Sequence, residues 1–159
     1  MKDFDIEDRV RLATELFTEG YNCAQSVFLA YADLFELETN LAERLSVSFG
    51  GGVGRMREVC GTVSAMAMLA GLKYPAKPDD KEARTRNYAI VQQMAGAFKQ
   101  RHDSLICKNL LPAAAAKKKN PEPSERTAAY YATRPCCKYV KDAALIAGKM
   151  LKNEELTIK

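Results

Sequence analysis

Phe49-Gly50-Gly51-Gly52-Val53-Gly54-Arg55-Met56-Arg57-Glu58-Val59-Cys60-Gly61 is the stretch from which the rest of this 159-residue chain can be read. Four glycines crowd into five positions, and glycine enters left-handed and close-approach conformations without a Cβ penalty. Such a run ends whatever helix precedes it. Behind it, Thr62-Val63-Ser64-Ala65-Met66-Ala67-Met68-Leu69-Ala70 is apolar and small enough for a buried helix. Cys60 therefore falls at or just before a helix N-terminus. Unpaired amide N–H groups and the positive end of the helix dipole favour an anion there. A thiolate is an anion, and thiols so placed titrate below their usual value of about 8.5. Arg55 and Arg57 are close enough in sequence to add to that field. The stretch reads as a turn between helices that presents a redox-active or ligating thiol.

Working outward, Leu41 to about Phe49 forms a helix that Asn40 can cap and the glycines end. Upstream, Ile6 to Glu19 carries Ile6, Val10, Leu12, Ala13, Leu16 and Phe17 close to helical spacing. Asp3 or Asp5 caps it and Gly20 is its C′ stop. Asn22 caps the next helix, Cys23 to about Phe35, so Cys23 repeats the Cys60 arrangement: a thiol in the first helical turn. Downstream, the Cys60 helix stops near Gly71, and Pro75 and Pro78 mark a connection. Asp79 or Asp80 opens the longest helix, running to about Cys107 or Leu110, with Cys107 near its end. The segment 112–123, with Lys117-Lys118-Lys119, reads as a solvent-exposed loop with room for a helical turn. Ser124 can cap a short helix through about Tyr131. Pro135 precedes a last helix from Cys136 or Cys137 to about Asn153. Strand signals are nearly absent. The expectation is an all-α, single-domain bundle of five to seven helices over residues 1–159.

Several classes fall away. With 24 basic and 20 acidic side chains the net charge is +4, too small, and without a basic stripe interleaved with aromatics, to argue for nucleic acid. The charged start Met1-Lys2-Asp3 has no apolar core of a signal peptide. No run of about 18 apolar residues exists to enter a membrane. A cytoplasmic location is expected, and in a reducing compartment five cysteines do not make a disulfide framework. The glycine run lacks the Gly-Lys-Ser/Thr of a phosphate loop, and the residues before it look helical rather than extended. His102, the only histidine, sits in a polar part of the long helix and reads as solvated. No Ser/His/Asp set supports hydrolysis.

The cysteines carry the chemistry. Cys23, Cys60 and the Cys136-Cys137 pair fall at helix starts, Cys107 near a helix end, and helix ends cluster at the two faces of a bundle. No Cys-x-x-Cys occurs, so thioredoxin-like and zinc-ribbon spacings are both missing. Cys136 and Cys137 are adjacent and cannot easily bridge each other, so one faces the site. Arg55 is a candidate charge partner of the thiols. Gly50, Gly51, Gly52, Gly54 and Gly61 are candidates for close backbone approach to a sulfur or a bound group. Tyr130-Tyr131 reads as a packing pair near the final cysteines.

These residues carry a resemblance. Gly20-Tyr21-Asn22-Cys23-Ala24-Gln25, Phe49 to Arg55 with Cys60-Gly61, then Cys107 and Cys136, resemble the C-GCAxxG-C-C family of small bacterial and archaeal redox-active proteins. The resemblance runs from about Gly20 to Val140. At the central element the chain reads Cys60-Gly61-Thr62-Val63-Ser64-Ala65, with Thr62 and Ala65 in place of alanine and glycine; both keep the positions small. The family pattern points to Cys136, four residues before Val140, as the fourth cysteine. The resemblance implies redox activity without fixing a reaction. A similar helical region occurs in split-Soret cytochromes, where it is associated with an iron–sulfur site.

Three functions are compatible with these residues. The first is a thiol-based redox protein, with the thiol-disulfide oxidoreductases as its enzyme class. Cys23, Cys60, Cys107 and Cys136 would converge at one end of the bundle, Cys60 as the activated thiolate and Cys23 as its resolving partner. A redox protein or a small thiol would be the partner. The second is an iron–sulfur or zinc module in electron transfer or sensing, held by the same four cysteines or with Cys137 replacing Cys136. The third is a helical interaction protein whose cysteines are merely buried. Apolar helix faces also admit a homodimer.

Overall fold

The computed structural model describes residues 1–156. Among these, nine α-helices and no β-strand form an all-α bundle. They are α1 (Ile6–Thr18), α2 (Cys23–Ala32), α3 (Thr39–Ser46), α4 (Gly61–Lys73), α5 (Lys81–His102), α6 (Cys107–Leu110), α7 (Ala113–Ala116), α8 (Ala128–Thr133) and α9 (Cys136–Lys152). Six of them run eight residues or more, in keeping with the five to seven expected; α6, α7 and α8 are single turns or little more. No helix of the described residues is long and apolar enough to cross a membrane.

Local signals set most of the boundaries. The Asp5 side chain accepts from the Asp8 N–H and starts α1. Its end is a Schellman motif: Tyr21 N–H donates to Leu16 O and Gly20 N–H to Phe17 O, with Gly20 at φ 111°. Asn22 then opens α2 with a capping box, its side chain accepting from Gln25 N–H while the Gln25 side chain accepts from Asn22 N–H. The chain thus turns from α1 into α2 within four residues, which puts Cys23 at the first position of α2.

The core lies between α1, α2, α4 and α9. Phe17, Phe28, Met66, Leu69, Ile146 and Leu151 are buried in it, each worth about 1.5–3 kcal/mol relative to exposure. Small residues on α9 let the helices close up. Tyr31 reaches across from α2 to donate its hydroxyl to Ala144 O at 2.7 Å. A Cβ on Gly148 would stand 2.7 Å from that hydroxyl and 2.9 Å from Ile6. Gly148→Ala is therefore expected to lower stability by about 1–3 kcal/mol through overpacking, read as a lower midpoint in urea unfolding.

Several sequence expectations are corrected. Asn40 lies inside the first turn of α3, with Glu38 at the cap position. Thr127, not Ser124, caps α8, its hydroxyl accepting from Tyr130 N–H. The long helix stops at His102 because Asp103 turns left-handed at φ 67°, and Cys107 begins a new helix instead of closing the old one. His102 is not solvated. Its side chain is buried beside Asp142, Nε2 2.9 Å from Oδ2, against the rings of Phe98 and Tyr139. Burial holds its pKa below the ordinary value despite Asp142, with Lys138 and Arg101 pulling the same way as burial. A depressed imidazole pKa means that the unfolded chain binds the proton better. Stability is thus full above about pH 6.5 and falls as pH drops below it. His102→Gln should flatten that part of the stability profile, measured by denaturation between pH 5 and 7.

Candidate functional site

The glycine stretch forms a tight coil of unusual hand. Gly51, Gly52, Val53, Gly54 and Arg55 in succession, then Arg57, all have φ between 55° and 71°. Holding non-glycine residues there costs about 1–2 kcal/mol each, which applies to Val53, Arg55 and Arg57. The coil is closed by its own backbone: Gly54 N–H donates to Ser48 O, Arg57 N–H to Gly51 O and Glu58 N–H to Gly52 O. Its exit pairs antiparallel with the segment after α5. Cys60 N–H donates to Leu105 O at 2.8 Å and Cys107 N–H to Glu58 O at 2.6 Å, around a Val59–Ile106 bridge. This pairing holds the segment after α5 against the coil and seats Cys107 near Cys60.

The glycines make room for the protein's own side chains. A Cβ on Gly61 would lie 2.6 Å from Cys23 Sγ, one on Gly52 2.6 Å from Cys107 Cβ, and one on Gly50 2.5 Å from Asn22 Nδ2. Gly61 therefore brings the start of α4 against the start of α2, sulfur against backbone. Gly50, Gly51 and Gly54 line the cavity beside this junction, whereas Gly52 and Gly61 are not on its wall and instead pack against Cys107 and Cys23.

That cavity, about 390 Å³, is bounded by four cysteines. Cys23 is the first residue of α2, Cys60 the N-cap of α4, Cys107 the first residue of α6 and Cys136 the first residue of α9. Cys137, one residue further along α9, is not part of the wall. Cys60 and Cys107 are buried, Cys23 and Cys136 half-buried. All four are electrostatic neighbours, with Cys23 acting on each of the other three.

Titration runs opposite to the expectation for Cys60. Burial, then the neighbouring Cys23, push its thiol up to about 12, and the bond with the Thr62 hydroxyl (3.1 Å) only partly offsets this. Burial likewise raises Cys107, against which the Arg57 guanidinium pulls down, and raises Cys136, where the other thiols add to the effect. Desolvation of a thiolate here outweighs the helix N-terminus.

Arginines surround the thiols. Arg57 is 2% exposed; its Nε donates to Lys118 O at 3.1 Å and its Nη1 to Cys107 Sγ at 3.9 Å. Arg55, also on the wall, donates to Asn120 O and the Ser124 hydroxyl. Arg134 reaches Ser124 as well, and Arg126 donates to Phe17 O and Tyr21 O while lying 4.7 Å from the Phe17 ring centroid and 4.8 Å from that of Tyr130. These bonds hold residues 118–126 over the cavity. The loop expected to be simply solvent-exposed thus has an inner side, where Pro121 and Pro123 form part of the wall. Sequence reasoning missed Arg126 and Arg134. Both lie just outside α8, Arg126 before its Thr127 cap and Arg134 at its end, so no helical spacing marked them, and only the folded chain brings them to the wall.

The residues do not fit a closed metal centre. Among the described residues, no three His, Cys, Asp or Glu side chains come together closely enough to hold an ion. The four thiols share a cavity without forming a ligand cluster.

A family model described as "Putative redox-active protein (C_GCAxxG_C_C)" matches residues 21–150. No curated protein and no solved structure matches the chain.

Proposed function

The chain belongs to the C_GCAxxG_C_C family, and on that footing we propose that it performs thiol–disulfide exchange in the four-cysteine cavity. The observation that carries this is the convergence of Cys23, Cys60, Cys107 and Cys136 from four different helix starts onto one wall. Cys23 is the attacking thiol: it is half-buried, lines the cavity and is an electrostatic neighbour of the other three. Its thiolate attacks one sulfur of a substrate disulfide, forming a Cys23 mixed disulfide and expelling one substrate thiolate. Cys60 resolves it. Having passed its proton to water, the Cys60 sulfur attacks Cys23 Sγ, expels the second substrate thiolate and leaves a Cys23–Cys60 disulfide. The substrate gains two electrons and the protein loses two. The two roles are thus exchanged relative to the sequence expectation, because Cys60 is the more deeply buried and its burial raises its pKa.

The test is alkylation of the reduced protein followed by mapping of cysteine pairs after mild oxidation. Among the cavity thiols, Cys23 is expected to alkylate first and to appear bridged to Cys60. Cys60 reacting first, or an absence of any intramolecular pair, would remove the proposal. Metal analysis of protein purified without oxygen is the companion measurement. Stoichiometric iron or zinc would replace thiol exchange with the ligand role, despite the open arrangement of the thiols.

A further inference from the structure

The cavity holds an excess of positive charge with nothing to balance it. Arg55, Arg57, Arg126 and Arg134 line it, and no Asp or Glu does. Among the described residues, none of these four lies within ion-pair distance of a carboxylate. Arg57 is the extreme case. It is almost wholly buried, and among the described residues its Nη2 has no hydrogen-bond partner. A buried guanidinium lacking a counter-charge is costly. Three of the four cavity thiols do not supply that charge, since burial raises Cys60, Cys107 and Cys136 above the ordinary thiol value. The strained coil, with Arg57 itself at positive φ, is what delivers this guanidinium to the wall. Around it, Phe17, Leu110, Leu111 and Tyr139 give the cavity apolar sides. Pockets of this size take small organic molecules.

We propose that the cavity selects small disulfides bearing an acidic group, a carboxylate or an oxyanion, with the Arg57 guanidinium, which has no carboxylate partner among the described residues, as the anchor for that group. The disulfide half of this assignment rests on the thiol-exchange reading; the acidic half rests on the arginines alone. A guanidinium suits a planar two-oxygen anion, and a charge-assisted bond in a water-poor site is roughly twice as strong as a neutral one. The apolar body of the substrate would lie against Phe17, Leu110 and Leu111, with its sulfurs toward Cys23.

The experiment compares two disulfides of nearly the same shape on the reduced full-length protein: uncharged 2,2′-dithiodipyridine and its dicarboxylated form, 6,6′-dithiodinicotinate. Each is followed by absorbance of the released thione, and each rate is divided by that of N-acetylcysteine. The normalised rate is expected to favour the dicarboxylate by about tenfold, the effect of one charge-assisted bond, and Arg57→Met should abolish that preference. If Arg57→Met does not fold, nicotinate competition on the unaltered protein decides: slowing of the dicarboxylate reaction supports the anchor, and an unchanged rate overturns it. A normalised ratio of one overturns the acidic selectivity and leaves thiol exchange standing. If neither reagent reacts with the native chain while both react with the denatured chain, both readings fall.

Discussion

Replacing Gly52 with alanine is expected to cost about 3–5 kcal/mol, while the same change two residues later, Gly54→Ala, should cost only about 1–2. Both glycines have positive φ, 71° and 55°, so both changes carry the left-handed penalty of about 1–2 kcal/mol. They differ in what a Cβ would meet. At Gly54 there is nothing within 4 Å, whereas at Gly52 it would lie 2.6 Å from Cys107 Cβ, 2.8 Å from Glu58 N and 2.9 Å from the Arg57 carbonyl carbon. Two of those atoms are backbone, in the segment that pairs with residues 105–107, so relief requires moving the coil off the segment that carries Cys107. Overpacking of that kind adds about 1–3 kcal/mol or more. Urea unfolding of the two variants is the measurement. Equal losses would mean that conformational freedom alone accounts for the glycine run, and that its close approach to Cys107 is unimportant.

The second large effect concerns Cys23. Cys23→Ser is expected to lower the rate of disulfide reduction about 100-fold or more, since a hydroxyl is a far weaker nucleophile than a thiolate near neutral pH. Cys137→Ser should leave that rate unchanged, because Cys137 stands off the cavity wall. Equal losses in the two variants would show that the cavity thiols have no special role. The step after the mixed disulfide carries its own pH signature. With Cys60 pushed up to about 12 by burial, its thiolate fraction grows in proportion to hydroxide throughout the working range. Formation of the Cys23–Cys60 bond should therefore speed up about tenfold per unit between pH 7 and 9. A rate that levels off below pH 9 would show a Cys60 thiol that is easier to ionise than its burial dictates. Stopped-flow measurement at a series of pH values separates the two.

Local patterns carried most of the secondary structure. Asp5, Gly20, Asn22 and the glycine run act through bonds made within a turn of themselves, and the apolar spacing of α1 and α9 needs only a helix and a core to face. For the same reason the placement of Cys23, Cys60 and Cys136 at helix starts was legible. The failures are equally specific. The long helix ends where Asp103 turns left-handed without a glycine to mark the stop, and the segment after it is held by pairing of residues 105–107 with 58–60, more than 40 positions away. That pairing moves Cys107 from the end of one helix to the start of another.

By itself, then, the sequence determined an all-α chain with thiols at helix beginnings and a glycine-rich coil ahead of Cys60. Tertiary structure alone decided what surrounds the four cysteines already singled out: a shared cavity, Arg126 and Arg134 beside Arg55 and Arg57 around it, and burial that makes Cys60 a hard thiol to ionise. The physical reason is range. Caps, stops and periodicity are settled by neighbours along the chain, whereas solvation and charge at a point depend on every segment folded against it. At Cys60 that wider sum reverses the sign of the local one.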